Sequence, residues 1–458
     1  MANNFAYLTL ILWPFFALIF YKKLPVVHAT FWTIVGGFLV LPVRLYIDFP
    51  LIPPLGKESI TVISALIGCV YIKKIKIKLL PKKGIERWLV IILLISPLIT
   101  VVNNQEVYNF IPGLTFHDAF SSIVNQYIKL LPFILGMQLI KTYEDQLVLF
   151  KLLAASAVFY SLLILFEIRM SPQLHTWVYG YFPHSWGQQF RFDGFRSVAF
   201  MGHGLIVSMY LAIVLGATSI LMKQKVKILG VSTIWPFILY FTILLLLNKT
   251  VSGFVLGVVL LVAIVFLSQN MIRYLAIGLI GIVLLYPALL IFDLFPHRYL
   301  IELATNFDVD RGSSLEFRFY HEGLLLDHAR DKLFFGWGGW SRNRVVDSVK
   351  DGYWIGVLGV HGLVGFMSLF GLAVLSVWRS LKFNYLLNNL NERHLLASHA
   401  LIVSIIMVDQ LPNSSFYAWV IFIIGALLGR SNSIKNTPVP ICRKQKTADN
   451  QLREKTKE

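Results

Sequence analysis

Apolar segments recur from end to end of this chain, many of them near the roughly 20 residues (range about 17–25) that cross a bilayer as a helix. They predict spans near 5–21, 26–42, 59–72, 88–103, 118–140, 147–167, 203–222, 231–248, 253–268, 272–293, 353–378, 396–411 and 414–429. Several are short, the 59–72 segment most of all, so the pattern predicts about 12–13 transmembrane helices. The fold class that follows is all-α: a polytopic integral membrane protein. No internal repeat of fixed period divides the series into smaller units.

Two long polar intervals interrupt the pattern, 168–202 and 294–352. Within the second, Ser313-Ser-Leu-Glu316 reads as a helix start, with the Ser313 hydroxyl capping a free N–H and Glu316 reaching back to the cap. Leu315, Phe319, Leu326, Ala329 and Leu333 then recur at helical spacing. Glu322 interrupts that stripe one turn from Arg318, the spacing of an ion pair. Gly336-Trp-Gly-Gly-Trp340 reads as the helix stop, because glycine takes the positive φ a stop requires. The interval is thus expected to hold short amphipathic helix along the membrane surface, a tight Gly/Trp turn, and re-entry at Tyr353.

Composition agrees with this class. The chain is 57% hydrophobic and 14% charged, with a mean hydropathy of +0.69; soluble domains carry about 25% charged residues. A net charge of +17 would suggest nucleic acid in a soluble protein. Here most of it lies in short loops, where it sets topology, and no nucleic-acid partner is expected. Lys73, Lys74, Lys76, Lys78, Lys82, Lys83 and Arg87 form the strongest such cluster and belong on the cytoplasmic side. Alternation then places Lys22, Lys23, Lys141, Lys223, Arg273, Arg379 and the C-terminal tail inside, and 103–117, 168–202 and 294–352 outside. The arginines in the last two intervals run against the positive-inside trend and ask for a functional explanation. The membrane domain is expected over 1–431, and 432–458 as a disordered, basic cytoplasmic tail. Cys69 and Cys442 offer no disulfide framework or metal-ligand spacing, and segment 5–20 lacks the flanks of a cleavable signal peptide.

In 168–202, His175, Trp177, Tyr179, Tyr181, Trp186, Arg191, Asp193 and Arg196 alternate aromatic and polar character. Such aromatics form an interfacial belt or a platform for sugars, and both readings stay open. Trp337 and Trp340 of the Gly/Trp turn join Trp186 as candidate glycan contacts. Arg191 and Arg196 precede Gly202-His-Gly204 at the mouth of a span. A guanidinium at that depth grips a phosphate bidentately or snorkels to lipid headgroups. Lys249 is a phosphate contact or a snorkelling lysine, and His203 a packing and hydrogen-bonding residue. His361 is a satisfied membrane histidine or a relay.

Several landmarks then fall in order: Arg191-Phe-Asp-Gly194 and Gly202-His-Gly204, Asn248-Lys-Thr-Val-Ser-Gly253, Arg318, Leu333-Phe-Phe-Gly-Trp-Gly338, Gly362-Leu-Val-Gly365, Asp409-Gln-Leu-Pro-Asn413 and Gly425-Ala-Leu-Leu-Gly429. In that order they resemble the bacterial O-antigen ligase and polymerase superfamily over roughly residues 180–430. Phe49-Pro-Leu-Ile-Pro-Pro-Leu55 resembles related exopolysaccharide proteins. The resemblance implies a glycosyltransferase of the bacterial inner membrane that takes glycan from undecaprenyl diphosphate on the outer side, with the large loops periplasmic. It implies a reaction that uses no metal or other cofactor, with flippase and chain-length regulator proteins as partners beside the bilayer.

Without a metal, fixed cations must neutralise the leaving diphosphate, and Arg191, Arg196 and Arg318 match the family's arginine positions. Counting back from Gly362, Asp351 falls where ligases carry a histidine. A carboxylate can serve as general base, and an aspartate here resembles the polymerase branch, so polymerisation of repeat units is expected ahead of ligation to lipid A core. The alternative for Asp351 is a cap on the helix starting near Tyr353. A transporter or flippase of the same lipid-linked sugar is the reading from another class, with Lys249 and Asp409 as its membrane-embedded charges.

Overall fold

Each predicted apolar segment is helical in the computed structural model, which describes residues 1–49 and 52–436. Helix α1 spans Asn4–Lys23. The next rod is α2 (Val26–Phe31) and α3 (Gly37–Val40) joined by a π-helical stretch, and α4 (Lys57–Ile67) continues into a second one. There follow α5 (Ile85–Val102), α6 (Phe116–Leu139), α7 (Tyr143–Met170), the short α8 (Leu174–Tyr179), α9 (Gly204–Lys223), α10 (Trp235–Leu247), α11 (Val251–Phe266) and α12 (Gln269–Ile291). The chain closes with α13 (His297–Phe307), α14 (Val309–Arg330), α15 (Tyr353–Phe383), α16 (Leu390–Asp409) and α17 (Ala418–Asn436). Helix accounts for 71%, and among the described residues the strands form only two short antiparallel hairpins, so the class is all-α. The hairpins pair β1 (Ile47–Phe49) with β2 (Ile52–Leu55) and β3 (Phe190–Arg191) with β4 (Gly194–Phe195).

Among the described residues, six helices are long and apolar enough to cross a membrane: α1, α5, α7, α9, α12 and α15. Three shorter segments, Val26–Val40, α10 and α11, are also apolar. The more polar α16 and α17 lie inside the bundle, α17 against α6 and α15, α16 against α12 and α15. Small residues bring α17 close to α6: a Cβ on Gly425 would fall 2.2 Å from the Phe133 carbonyl oxygen, and one on Gly429 2.4 Å from that of Met137. The buried His399 is partnered there by Gln146 at 2.9 Å and by the Ile423 carbonyl at 3.1 Å.

Bonds between connecting segments sort them into two faces. On one, Glu86 pairs with Arg379 at 2.7 Å, Arg430 bonds Glu392 and the Lys141 carbonyl, and Gln224 reaches the Asn391 carbonyl. On the other, Asn3 bonds the Val178 carbonyl, Asn104 that of Gly336, Lys249 that of Phe192, and Tyr353 N–H that of Asn413.

The 294–352 interval is helical in α13 and α14, but its details differ from the sequence pattern. Helix α14 starts at Val309, four residues before Ser313, because extended Asp308 accepts from Arg311 N–H at 3.1 Å and caps it first. The Ser313 hydroxyl instead donates to the Val309 carbonyl inside the helix. The helix ends at Arg330, ahead of the glycines. The chain beyond it is drawn into α15, which is broken at Gly362 (φ 63°, ψ −170°). Leu363 and Val364 N–H donate to the Leu333 and Phe334 carbonyls, and Trp337 and Gly338 N–H to those of Gly359 and Val360. Two landmarks distant in sequence, Leu333–Gly338 and Gly362–Gly365, thus share one set of backbone bonds. At the C-terminus α17 runs through Asn436, so 432–436 is helical where a disordered tail was expected; the rest of that tail, like Pro50 and Leu51, lies outside the described residues.

Candidate functional site: an arginine-lined cleft

A cleft of about 650 Å³ opens where the 168–202 segment, α14, the 349–351 stretch and the 409–417 turn meet. Arg44, Arg191, Arg196, Arg318, Lys350 and Asp351 line it. Four of these six are predicted site residues, brought together although Arg196 and Arg318 lie more than a hundred positions apart in sequence.

Arg191 is carried on the β3–β4 hairpin, whose turn residues Phe192 and Asp193 both have positive φ (48° and 54°). Lys249 Nζ donates to the Phe192 carbonyl at 2.6 Å, so this lysine holds the hairpin rather than lining the cleft. Its neighbour Asn248 accepts from Ser197 N–H at 2.9 Å and donates to Ser208 Oγ at 2.7 Å, which ties the segment after Arg196 to α9. Glu167 completes the support by accepting from Ser197 Oγ and the N–H groups of Val198 and Ala199. Arg196 is buried, donates to the Gln188 carbonyl, and keeps an unpartnered Nε. Burial, then the charges of Arg191 and Arg318, lowers its pKa to about 10. A buried guanidinium with spare donors among other cations is an arrangement that a bound anion would relieve.

Arg318 projects from α14, and its Nε lies 3.6 Å from Asp351 Oδ2. Asp351 does not cap α15. The N-cap is Gly352, without a side-chain cap bond, and Tyr353 N–H is taken by the Gln410 and Asn413 carbonyls at 3.0 and 2.9 Å. The expected Arg318–Glu322 ion pair does not form. Glu322 instead turns to the bundle, accepting from Tyr286 Oη of α12 at 2.5 Å and Trp354 Nε1 of α15 at 2.7 Å. Burial holds the Glu322 carboxyl above the usual carboxylate range. Lys350 lies against Gly356, its pKa lowered by burial and by Arg344 and Lys129. Asp409 is buried as the acceptor for Asn413 Nδ2 and Ser415 Oγ, closing the turn that the Asp409–Asn413 landmark marks.

His203 caps α9, its Nδ1 accepting from Leu205 N–H at 3.1 Å. His361 meets Gln126 at 3.2 Å. None of the three candidate tryptophans lines the cleft. Trp186 is exposed beside Phe182 and Phe195, and Trp340 is exposed in the turn. Trp337 is buried, stacked on His328 at 4.4 Å with its indole N–H on the His328 carbonyl, so it packs the turn rather than offering a free face. The sequence pattern does not single out Arg44, His184 or Lys350 as site residues. Arg44 carries one signal that could have found it: it is a lone arginine in a segment that alternation places outside.

The chain matches no protein-family model and no curated protein.

Proposed function

We propose that the protein is a membrane glycosyltransferase that polymerises polyprenyl-diphosphate-linked glycan repeat units on the outer face of the bacterial inner membrane. What supports this most is the convergence of Arg191, Arg196 and Arg318 on one cleft beside Asp351. The arginines suit a diphosphate, whose charge grows as it leaves the sugar. Arg318 exchanges its exposed ion pair with Asp351 for the diphosphate, at little cost because exposed pairs contribute only about 0–1 kcal/mol. Asp351 then accepts the proton of the acceptor hydroxyl as that oxygen bonds to the anomeric carbon and the carbon–oxygen bond to diphosphate breaks. Polymerisation is preferred over ligation because a carboxylate stands where ligases carry a histidine. The membrane is crossed about 12–13 times in this reading, with both large loops outside.

The experiment is reconstitution of the full chain in liposomes with an undecaprenyl-diphosphate-linked oligosaccharide. A ladder of lengthening lipid-linked products is expected. Transfer only to added lipid A core would replace polymerase by ligase. Movement of the lipid-linked sugar across the bilayer with no new glycosidic bond would sink the enzyme reading.

A further inference from the structure

Arg44 lies between α3 and β1 with φ at +55°, a left-handed backbone that side-chain-bearing residues avoid. It is held there by its neighbour. Val43 N–H donates to His175 Nε2 at 3.2 Å, and the Val43 carbonyl accepts from Tyr181 Oη. Because His175 Nε2 accepts, its Nδ1 carries the proton and donates to the Tyr181 carbonyl at 2.8 Å, which closes the clamp. On its other side Val43 packs into the space left by Gly202, where a Cβ would come within 2.9 Å of Val43 Cγ1. Three residues of the 168–202 segment, His175, Tyr181 and Gly202, therefore hold Val43 so that the next residue takes an unfavourable conformation. Strain maintained in this way clusters at functional sites.

The side chain so presented is exposed and lines the cleft, with no hydrogen bond or ion pair among the described residues. His184, His203 and Tyr417 line the same cleft, and the Arg44 charge acts on all three. Arg44 and Arg318 reach the same cleft from different elements, the α3–β1 connection and α14.

We propose that Arg44 is a diphosphate-binding residue of this cleft, beside Arg191, Arg196 and Arg318. This rests on the diphosphate reading of the cleft. It adds a contact from the first quarter of the chain, outside the stretch that carries the other cations.

Arg44→Gly separates function from fold, because glycine adopts the left-handed backbone freely while losing the guanidinium. The full chain in lipid nanodiscs would be titrated calorimetrically with farnesyl diphosphate, and separately with inorganic pyrophosphate. Arg44→Gly is expected to weaken farnesyl diphosphate binding about ten- to hundredfold, as loss of a charged hydrogen bond does, at unchanged melting temperature. Arg44→Lys should recover part of the affinity. A similar Arg44 dependence for pyrophosphate would place the contact on the diphosphate itself, as proposed; dependence for pyrophosphate alone would overturn a lipid-linked ligand. Unchanged farnesyl diphosphate affinity in Arg44→Gly overturns the assignment while leaving the cleft's reading intact. Affinity lost only together with melting temperature assigns Arg44 to the fold. Wild-type protein that binds neither probe overturns the diphosphate reading and this inference with it.

Discussion

Arg318 and Asp351 meet at 3.6 Å where α14 comes down on the start of α15, and each side chain keeps about two-fifths of its surface exposed (40% and 41%). The pair closes no helix end and buries no charge. It stores a cation and a carboxylate side by side at the cleft wall, each available once the other finds a new partner. An exposed pair of this kind contributes little to stability, so substitutions here should change activity far more than folding.

Asp351→Asn preserves shape but cannot accept a proton. Glycan elongation should fall by a factor on the order of 10²–10⁴, the usual share of general base catalysis, with normal expression. The carbonyls of Gln410 and Asn413 already satisfy the start of α15. Elongation at near wild-type rate would therefore remove Asp351 from the chemistry. Asp351→His asks whether the ligase-type base substitutes for the carboxylate.

Arg318→Ala and Arg191→Ala should each abolish elongation while leaving the protein in the membrane. Each lost charged hydrogen bond to diphosphate removes roughly 1.5–3 kcal/mol. Lysine should rescue only in part, since an ammonium lacks the planar fork. Wild-type product lengths from both alanine variants would exclude these arginines.

Glu322 fastens α14 to the bundle through Tyr286 and Trp354. Glu322→Gln keeps a single acceptor oxygen at the amide position. It should leave one of those buried donors poorly matched, at a cost of about 1–3 kcal/mol. The expected result is a lower melting temperature, altered tryptophan emission and slower elongation from a displaced Arg318. No change in emission or melting would show that the clamp is not what positions α14.

Gly336 and Gly362 are the two points where the Gly/Trp turn enters the break in α15. A Cβ on Gly336 would lie 2.6 Å from Gly362 N, and one on Gly362 2.3 Å from Phe334 C. Gly362 also occupies a backbone region essentially reserved for glycine, costing of order 1–3 kcal/mol for any other residue. Gly362→Ala should sharply reduce the folded yield. Retention of wild-type melting would show that the turn and the break do not depend on each other.

Reporter fusions at Lys82 and Asp347 should localise to opposite sides of the membrane, because bonds among the connecting segments place their loops on opposite faces. The same location for both would refute the alternation.

Helical class and the places of the helices were legible in the sequence. Apolar length and the positions of lysine and arginine are one-dimensional quantities, and a bilayer reads them directly. Arg191, Arg196, Arg318 and Asp351 were legible as candidates, since charge in long polar intervals between apolar segments needs an explanation wherever it occurs. The tertiary structure alone decided which of them meet. Lys249 turned to the β3–β4 hairpin, Trp337 to the packing of its own turn, and Glu322 to Tyr286 and Trp354 in place of Arg318. Each of these side chains has several partners at compatible sequence spacing. The winner is the one that the folded backbone brings within hydrogen-bond reach, and that distance is absent from any local pattern. Arg44 is the sharpest case: nothing beside it in the chain explains its left-handed backbone, because the groups that hold it there, His175 and Tyr181, lie more than a hundred residues away.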